Sequence, residues 1–346
     1  MQLLDPSGWT LTQGIVVFVL LALVIGVAGT RITRIVDQLA DRTGIGEAAA
    51  GAILLGATTS IGGSVLSVTA AWNGNAELAV SNALGGIAVQ TFFLALADIS
   101  YRHANLEHAA ASVPNMMQNA LLMILLAFIL LAPLLPSVTL WGVHPVTPLL
   151  FISYVVGLRM VQNAHKAPMW RPKHTHDTRE DEPDDVDLMP SMARLSAEFA
   201  VLFVILGMAG YLLESAATVI ASRTGMTQTV VGILLTAIST STPELVTSIA
   251  AVRRGALTLA VGGIIGGNAF DTLFTAASDI AYREGSIYHT ITDSTLMWVC
   301  LTLLMTAILM MGLLRRERKG PAGIGLESVL IIVLYFFGVW LLLAQL

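Results

Sequence analysis

Apolar runs long enough to cross a lipid bilayer follow one another along nearly the whole chain, and nothing else in the sequence restricts the fold so strongly. About 20 helical residues span the hydrocarbon core, and windows of that kind fall at 13–30, 47–71, 76–100, 117–135, 143–161, 195–220, 226–251, 257–281, 290–313 and 324–346. The expected fold class is an all-α membrane protein of about ten transmembrane helices. A membrane β-barrel is excluded, because its strands alternate polar and apolar residues instead of running apolar. Only 12% of the 346 residues are charged, about half the fraction of a soluble domain. The net charge of −5 comes mostly from one acidic stretch, which leaves no basic footprint for nucleic acid. Asp5 but no Lys or Arg precedes the first span, which therefore reads as a retained helix rather than a signal peptide. The single cysteine, Cys300, builds neither a disulfide framework nor a cysteine metal cluster.

One long polar segment interrupts the spans. It holds HTHDTREDEPDDVD, lacks the glycine turn and ligand order of a calcium-binding loop, and reads as a solvated linker. It divides the chain into a five-helix unit at 1–161, a linker at 162–193 and a second five-helix unit at 194–346. With both termini outside, about 16 of the 18 Lys and Arg residues become cytoplasmic, the linker among them, and only Arg223 and Arg283 face outward. The expected location is a plasma or inner membrane. An odd number of spans per half makes any likeness between the halves an inverted repeat.

That likeness exists. A shift of 181 positions lays Arg42 to Arg102 on Arg223 to Arg283 without a gap, with roughly 24 identities in about 60 positions. RTG begins each copy, and DISYR or DIAYR ends it. Inverted repeats of this kind characterise secondary transporters, whose substrates bind at mid-membrane where the repeats meet.

The second copy carries the polar chemistry. STSTPE, from Ser239 to Glu244, lies in the middle of an apolar span. Proline removes an amide and displaces a carbonyl, so the helix is expected to break there, with Glu244 beside freed carbonyl oxygens. A carboxylate at that depth costs about 2.5 to 3.5 kcal/mol, which argues for a function, the alternative being a protonated or hydrogen-bonded structural Glu. GGNAFD, from Gly266 to Asp271, puts Asn268 and Asp271 on one helix face next to glycines that allow close helix approach. Carboxylates, hydroxyls and carbonyls are the ligands of hard cations such as Na⁺ and Ca²⁺. Away from these segments, Asp98 and Asp279 each precede an arginine by four residues, a spacing suited to local ion pairs, while Glu47 and Glu214 read as interfacial. Asn82, one turn before Gly86, suits either structural hydrogen bonding or an ion pathway.

The paired STSTPE and GGNAFD segments resemble the α-repeats of the calcium/cation antiporter superfamily, which includes the Na⁺/Ca²⁺ exchangers and usually carries GTSxPE and GSNxF followed by Asn or Asp. The resemblance covers the repeat cores, about a third of the chain. It implies ten helices in an exchanger-like fold, and exchange of a cation against Na⁺ or H⁺ while the first and sixth helices slide across a bundle of the others. The first copy departs from the pattern. Gly63 aligns with Glu244, where family members place a second ion-binding Glu; Ile87 aligns with Asn268, Gln90 with Asp271, and Gly86 and Gly267 replace the serines of the GSN segments. The first copy thus keeps Thr59, Ser60 and Gln90 as neutral ligands and contributes no carboxylate.

The expected metal ligands are Glu244 and Asp271, with Asn268, Thr240, Ser241, Thr59, Ser60 and Gln90 as neutral partners. The expected activity is exchange of Ca²⁺ against Na⁺ or H⁺, by a transporter rather than an enzyme, with no permanently bound cofactor; its partners are inorganic cations and the bilayer. A monovalent cation or proton exchanger on the same fold, and a non-transporting membrane sensor or interaction protein, are the alternatives. No GxxxxGK followed by Ser or Thr is present, so an ion gradient is the expected driving force.

Overall fold

The computed structural model describes residues 8–43, 56, 58–101, 104–166, 168–173, 190–255, 257–318, 320 and 324–344. Glu47, Arg102 and the acidic sequence HTHDTREDEPDDVD lie outside them. The described residues form helices α1 Leu11–Thr43, α2 Ile61–Trp72, α3 Ala76–Ser100, α4 Leu106–Ala109, α5 Val113–Leu131, α6 Val146–Lys166 and α7 Met192–Thr224. They continue with α8 Gln228–Thr240, α9 Thr242–Arg254, α10 Leu257–Ala281, α11 Asp293–Arg315 and α12 Leu326–Leu343. An isolated bridge between Leu140 and Val143 is the sole extended pairing among them.

Of the ten expected spans, seven stand as helices long and apolar enough to cross a membrane: α1, α3, α5, α7, α10, α11 and α12. The pair α8 and α9 makes an eighth, bent by 43°. The 12-residue α2 begins after residues outside the description, and α6 runs 21 residues with a more polar sequence.

Hydroxyl caps and glycines set several helix limits. Ser112 accepts the Asn115 amide at the start of α5, where Pro114 occupies the first turn, and Thr292 accepts the Thr295 amide at the start of α11. Gly74 and Gly255, one at each end of the bundle's interhelical turns, have φ of 80° and 88°, which a side chain would strain. The helix limits repeat at the same 181-residue shift seen in the sequence. α1 maps onto α7, each of 33 residues, α3 maps onto α10, and α4 maps onto the 3₁₀ turn Ile287–Thr290.

α3 and α10 lie at the centre, with about four-fifths of their apolar windows buried, against about one-fifth for α1 and α7. Membrane helices gain little from apolar burial against one another, so their contacts rest on close packing of small residues. Gly56 illustrates this: a Cβ there would sit 2.7 Å from the Gly267 Cα of α10. α1 and α7 pack on each other at the rim, and α7 meets α2 where Gly210 lies on the Gly62 carbonyl with no room for a Cβ.

Two matching clamps close the ends of the bundle. Asp98 accepts the Leu106 amide at 2.6 Å and the Gly325 amide at 2.9 Å, tying α3 to the start of α12. Asp279 accepts the Ile287 amide at 3.1 Å and the His144 amide at 2.8 Å, tying α10 to the start of α6. The partners too are related by the 181-residue shift. The expected Asp279–Arg283 ion pair is replaced by these amides and by the Thr147 hydroxyl, because a buried carboxylate accepting backbone N–H groups needs no cation. Glu214, expected at the interface, is buried and takes the side-chain amides of Asn73 and Asn75.

Candidate cation site

The break expected at STSTPE is present. Ser241 leaves the helical region at φ −93° and ψ 2°, and Pro243 enters in the first turn of α9. Its lack of an amide is harmless in a first turn. A π-helical stretch, Val231–Thr236, widens α8 two turns earlier. Ser60 occupies the same place in the first copy, at φ −87° and ψ 7° before α2.

The two breaks meet the central helices α3 and α10. Ser60 donates to Glu244 Oε1 at 3.2 Å. Gln90 Nε2 donates to Asp271 Oδ2 at 2.6 Å and to Ser241 Oγ at 3.4 Å. Each break serine is therefore bonded to a side chain of the other copy. Gln90 and Asp271 are themselves partners under the 181-residue shift.

A cavity of about 10 Å³ lies among Ser60, Asn82, Gln90, Thr240, Ser241, Glu244 and Asp271, room for about one water-sized sphere. Five buried oxygens in this region have no hydrogen-bond donor within the protein: Glu244 Oε2, Asp271 Oδ1, Gln90 Oε1, Asn82 Oδ1 and Asn268 Oδ1. Each donor-less buried acceptor costs about 1 to 3 kcal/mol, and native structures keep such atoms few. All five are acceptors, and two belong to carboxylates. A hard cation satisfies such a set, since it binds carboxylate and amide oxygens together. No trio of His, Cys, Asp or Glu suited to a metal ion occurs among the described residues.

The remaining sequence candidates sit close by in different ways. Asn268 donates to the Thr91 hydroxyl at 3.0 Å, which turns its oxygen the other way. Thr240 lines the cavity while its hydroxyl back-bonds to the Thr236 and Ala237 carbonyls. Thr59 donates to the Gly56 carbonyl at 3.1 Å. Sequence reasoning left Asn82 undecided and did not single out Thr91; the signal for Thr91 is only its place next to Gln90. Gly63 faces the cavity with space beside it: a Cβ there would meet Thr240 Oγ1 at 3.4 Å and Asn82 Nδ2 at 3.8 Å.

The family model described as sodium/calcium exchanger protein matches residues 13–160 and 196–344. A protein of Alkalimonas amylolytica named "Putative antiporter CaxA" is 28% identical over 267 residues, 74% of this chain and 77% of that protein. The inner membrane protein YrbG of Escherichia coli (strain K12) is 34% identical over 87 residues, 25% of this chain and 27% of that protein. Among solved structures, the H⁺/Ca²⁺ exchanger CAX superposes with a TM-score of 0.68 at 14% identity, over 94% of this chain and 82% of its own. The sodium-calcium exchanger NCX_Mj, soaked with Na⁺ and Sr²⁺, gives 0.58 at 19% identity over 96% of this chain and 99% of its own. Both share the fold.

Proposed function

The chain belongs to the sodium/calcium exchanger protein family, integral membrane transporters rather than enzymes, and from that premise we propose that it exchanges Ca²⁺ against Na⁺ or H⁺ by alternating access. The observation that carries this reading is the gathering of donor-less carboxylate and amide oxygens around one ion-sized cavity. In this reading Glu244 and Asp271 supply the charge, and Asn268, Thr240, Ser241, Thr59, Ser60 and Gln90 supply neutral oxygens or orient the charged ones. Two carboxylates balance one Ca²⁺, and the neutral oxygens help to replace its hydration shell.

Coupling follows from the same charge. Two ionised carboxylates facing a closed, low-dielectric interior are unfavourable without a counter-ion. The site therefore changes its exposure when loaded with Ca²⁺, or with Na⁺ or protons, and not when empty. The rim pair α1 and α7 is the moving element in this reading, sliding across the central helices. The halves 1–161 and 194–346 act as inverted repeats joined by a cytoplasmic 162–193 linker, with both termini outside a plasma or inner membrane, as the positive charges favour.

The test is Ca²⁺ uptake into proteoliposomes loaded with Na⁺, or acidified, and diluted into medium without the driving ion. Uptake that needs the gradient and is lost in Glu244→Gln supports the reading; wild-type protein that moves no Ca²⁺ under either gradient overturns it. A second reading, exchange of monovalent cations alone, is favoured by the Gln90 amide already engaging one Asp271 oxygen. It predicts that Ca²⁺ does not displace bound Na⁺.

A further inference from the structure

The 181-residue shift pairs Gly63 with Glu244, and it pairs Asn82 with Gly263. In each copy one of the two positions bears a polar side chain and the other is glycine, but the assignment is reversed between copies. Asn82 stands on α3, 2% exposed, opposite the empty side of Gly63. Its Nδ2 donates to the Gly63 carbonyl at 3.2 Å and to the Ser67 hydroxyl at 2.9 Å. A carbonyl oxygen accepts and never donates, so this bond fixes which end of the amide is nitrogen. The oxygen that remains, Oδ1, is buried without a donor, and Asn82 lines the cavity with Glu244 and Asp271.

We propose that Asn82 is a cation ligand that sets the selectivity of the site, filling from α3 the place that a side chain at position 63 would otherwise take. The inference rests on the antiporter reading and deepens it. An amide oxygen keeps a ligand at that point without adding a third negative charge. The site then balances one divalent ion, or two monovalent ones, with nothing left over. A carboxylate in the same place would leave one excess charge whenever Ca²⁺ is bound, and would favour a divalent ion over a monovalent one.

The experiment measures Ca²⁺ and Na⁺ binding to the purified full-length chain by calorimetry, from pH 6 to pH 8, with Ca²⁺ flux in proteoliposomes alongside. Asn82→Ala is expected to weaken Ca²⁺ binding by about 10-fold and raise the KM for Ca²⁺ more than it lowers kcat. Asn82→Asp is expected to raise the ratio of Ca²⁺ to Na⁺ affinity by about 10-fold. The exchange Gly63→Glu with Asn82→Gly, which copies the second repeat into the first, is expected to bind Ca²⁺ better than Gly63→Glu alone, because the larger side chain then has its space. A merely structural role would lower affinity for both ions together and leave their ratio unchanged. Unchanged Ca²⁺ binding in Asn82→Ala, or an unchanged ion ratio in a folded Asn82→Asp, overturns this inference while the antiporter reading stands. Wild-type protein that binds neither ion overturns both.

Discussion

In the second copy of the repeat a proline follows the helix break and a carboxylate follows the proline; in the first copy Gly62 and Gly63 stand in those places. Ser60 nevertheless holds φ −87° and ψ 7°, where Ser241 holds φ −93° and ψ 2°. The helix limits agree to the residue in α1 with α7 and in α3 with α10. Backbone shape is therefore kept by features the copies share: the serine at the break, the close glycine contacts, and an aspartate clamp on each side. In the function proposed above, ion chemistry falls to features they do not share. Gly63, Ile87 and Gln90 replace Glu244, Asn268 and Asp271, so all the charge in the site comes from one half.

The strongest way to break this comparison is to remove the charge. Glu244→Gln and Asp271→Asn are each expected to lower Ca²⁺ flux by about 100-fold or more, since a neutral replacement leaves a dehydrated divalent ion half balanced. Gln90→Ala, at the position matching Asp271, is expected to lower flux by about 10-fold, through loss of the 2.6 Å bond that orients the carboxylate. Equal losses at 90 and 271 in the flux assay would mean that the first copy carries as much of the site as the second.

The clamps offer a subtler contrast. Asp98 and Asp279 hold matching amides, but the side chains around them differ: Glu107 accepts from Ser328 at 2.8 Å where, in the other clamp, Tyr288 meets Thr147 at 2.9 Å. Removing either aspartate strands two backbone amides, so Asp98→Ala and Asp279→Ala are each expected to destabilise the fold by about 2 to 3 kcal/mol, read as a fall in Tm. The Asp98 clamp is expected to respond to pH near neutrality through Glu107. Burial, then the charge of Asp98, pushes the Glu107 carboxyl up to about 7 from an ordinary 4.5, against the pull of the Ser328 hydroxyl, with Glu327 adding repulsion. Arg315 lies across from Glu327 at 3.5 Å. Folding thus favours protonated Glu107. Its contribution is complete below about pH 4.5 and is lost as pH rises through about 7. A Tm that falls by a few degrees from pH 5 to pH 8, with the slope removed in Glu107→Gln, is the expected result. An unchanged slope in Glu107→Gln would remove Glu107 as its source.

Much of this architecture is legible in the sequence because it is local. The apolar windows, the break at Pro243 and the 181-residue shift each follow from a few adjacent residues or from one alignment of the chain with itself. The clamps are not local. The i, i+4 spacing of Asp279 and Arg283 suggests a pair, while the actual partners lie eight residues on and across the bundle at His144. Asn82 is hidden for a related reason. Its role depends on the space left by Gly63, and a missing side chain has no signature except against its counterpart in the other copy. Thr91, whose hydroxyl accepts the Asn268 amide, has no signal in the sequence beyond its place next to Gln90.

The smallest expected effect tests the comparison most directly. If proline caused the break, Pro243→Ala would let α8 continue into α9, close the cavity and abolish flux. The first copy reaches the same dihedral angles with Gly62 at the matching position, so the bend must be supported by contacts outside the break, such as the Ser60 and Gln90 bonds across the copies. Pro243→Ala is therefore expected to leave the break in place and change Ca²⁺ flux by only about twofold, since a first-turn proline replaces an amide that had no helical partner. The more demanding variant places proline at Gly62. A Cβ at Gly62 would meet Ile25 of α1 at 3.5 Å, so a pyrrolidine ring there would press on an element proposed to slide. Gly62→Pro should therefore slow transport more than Pro243→Ala does. The reverse order in the flux assay would show that the second copy depends on its proline in a way the first does not.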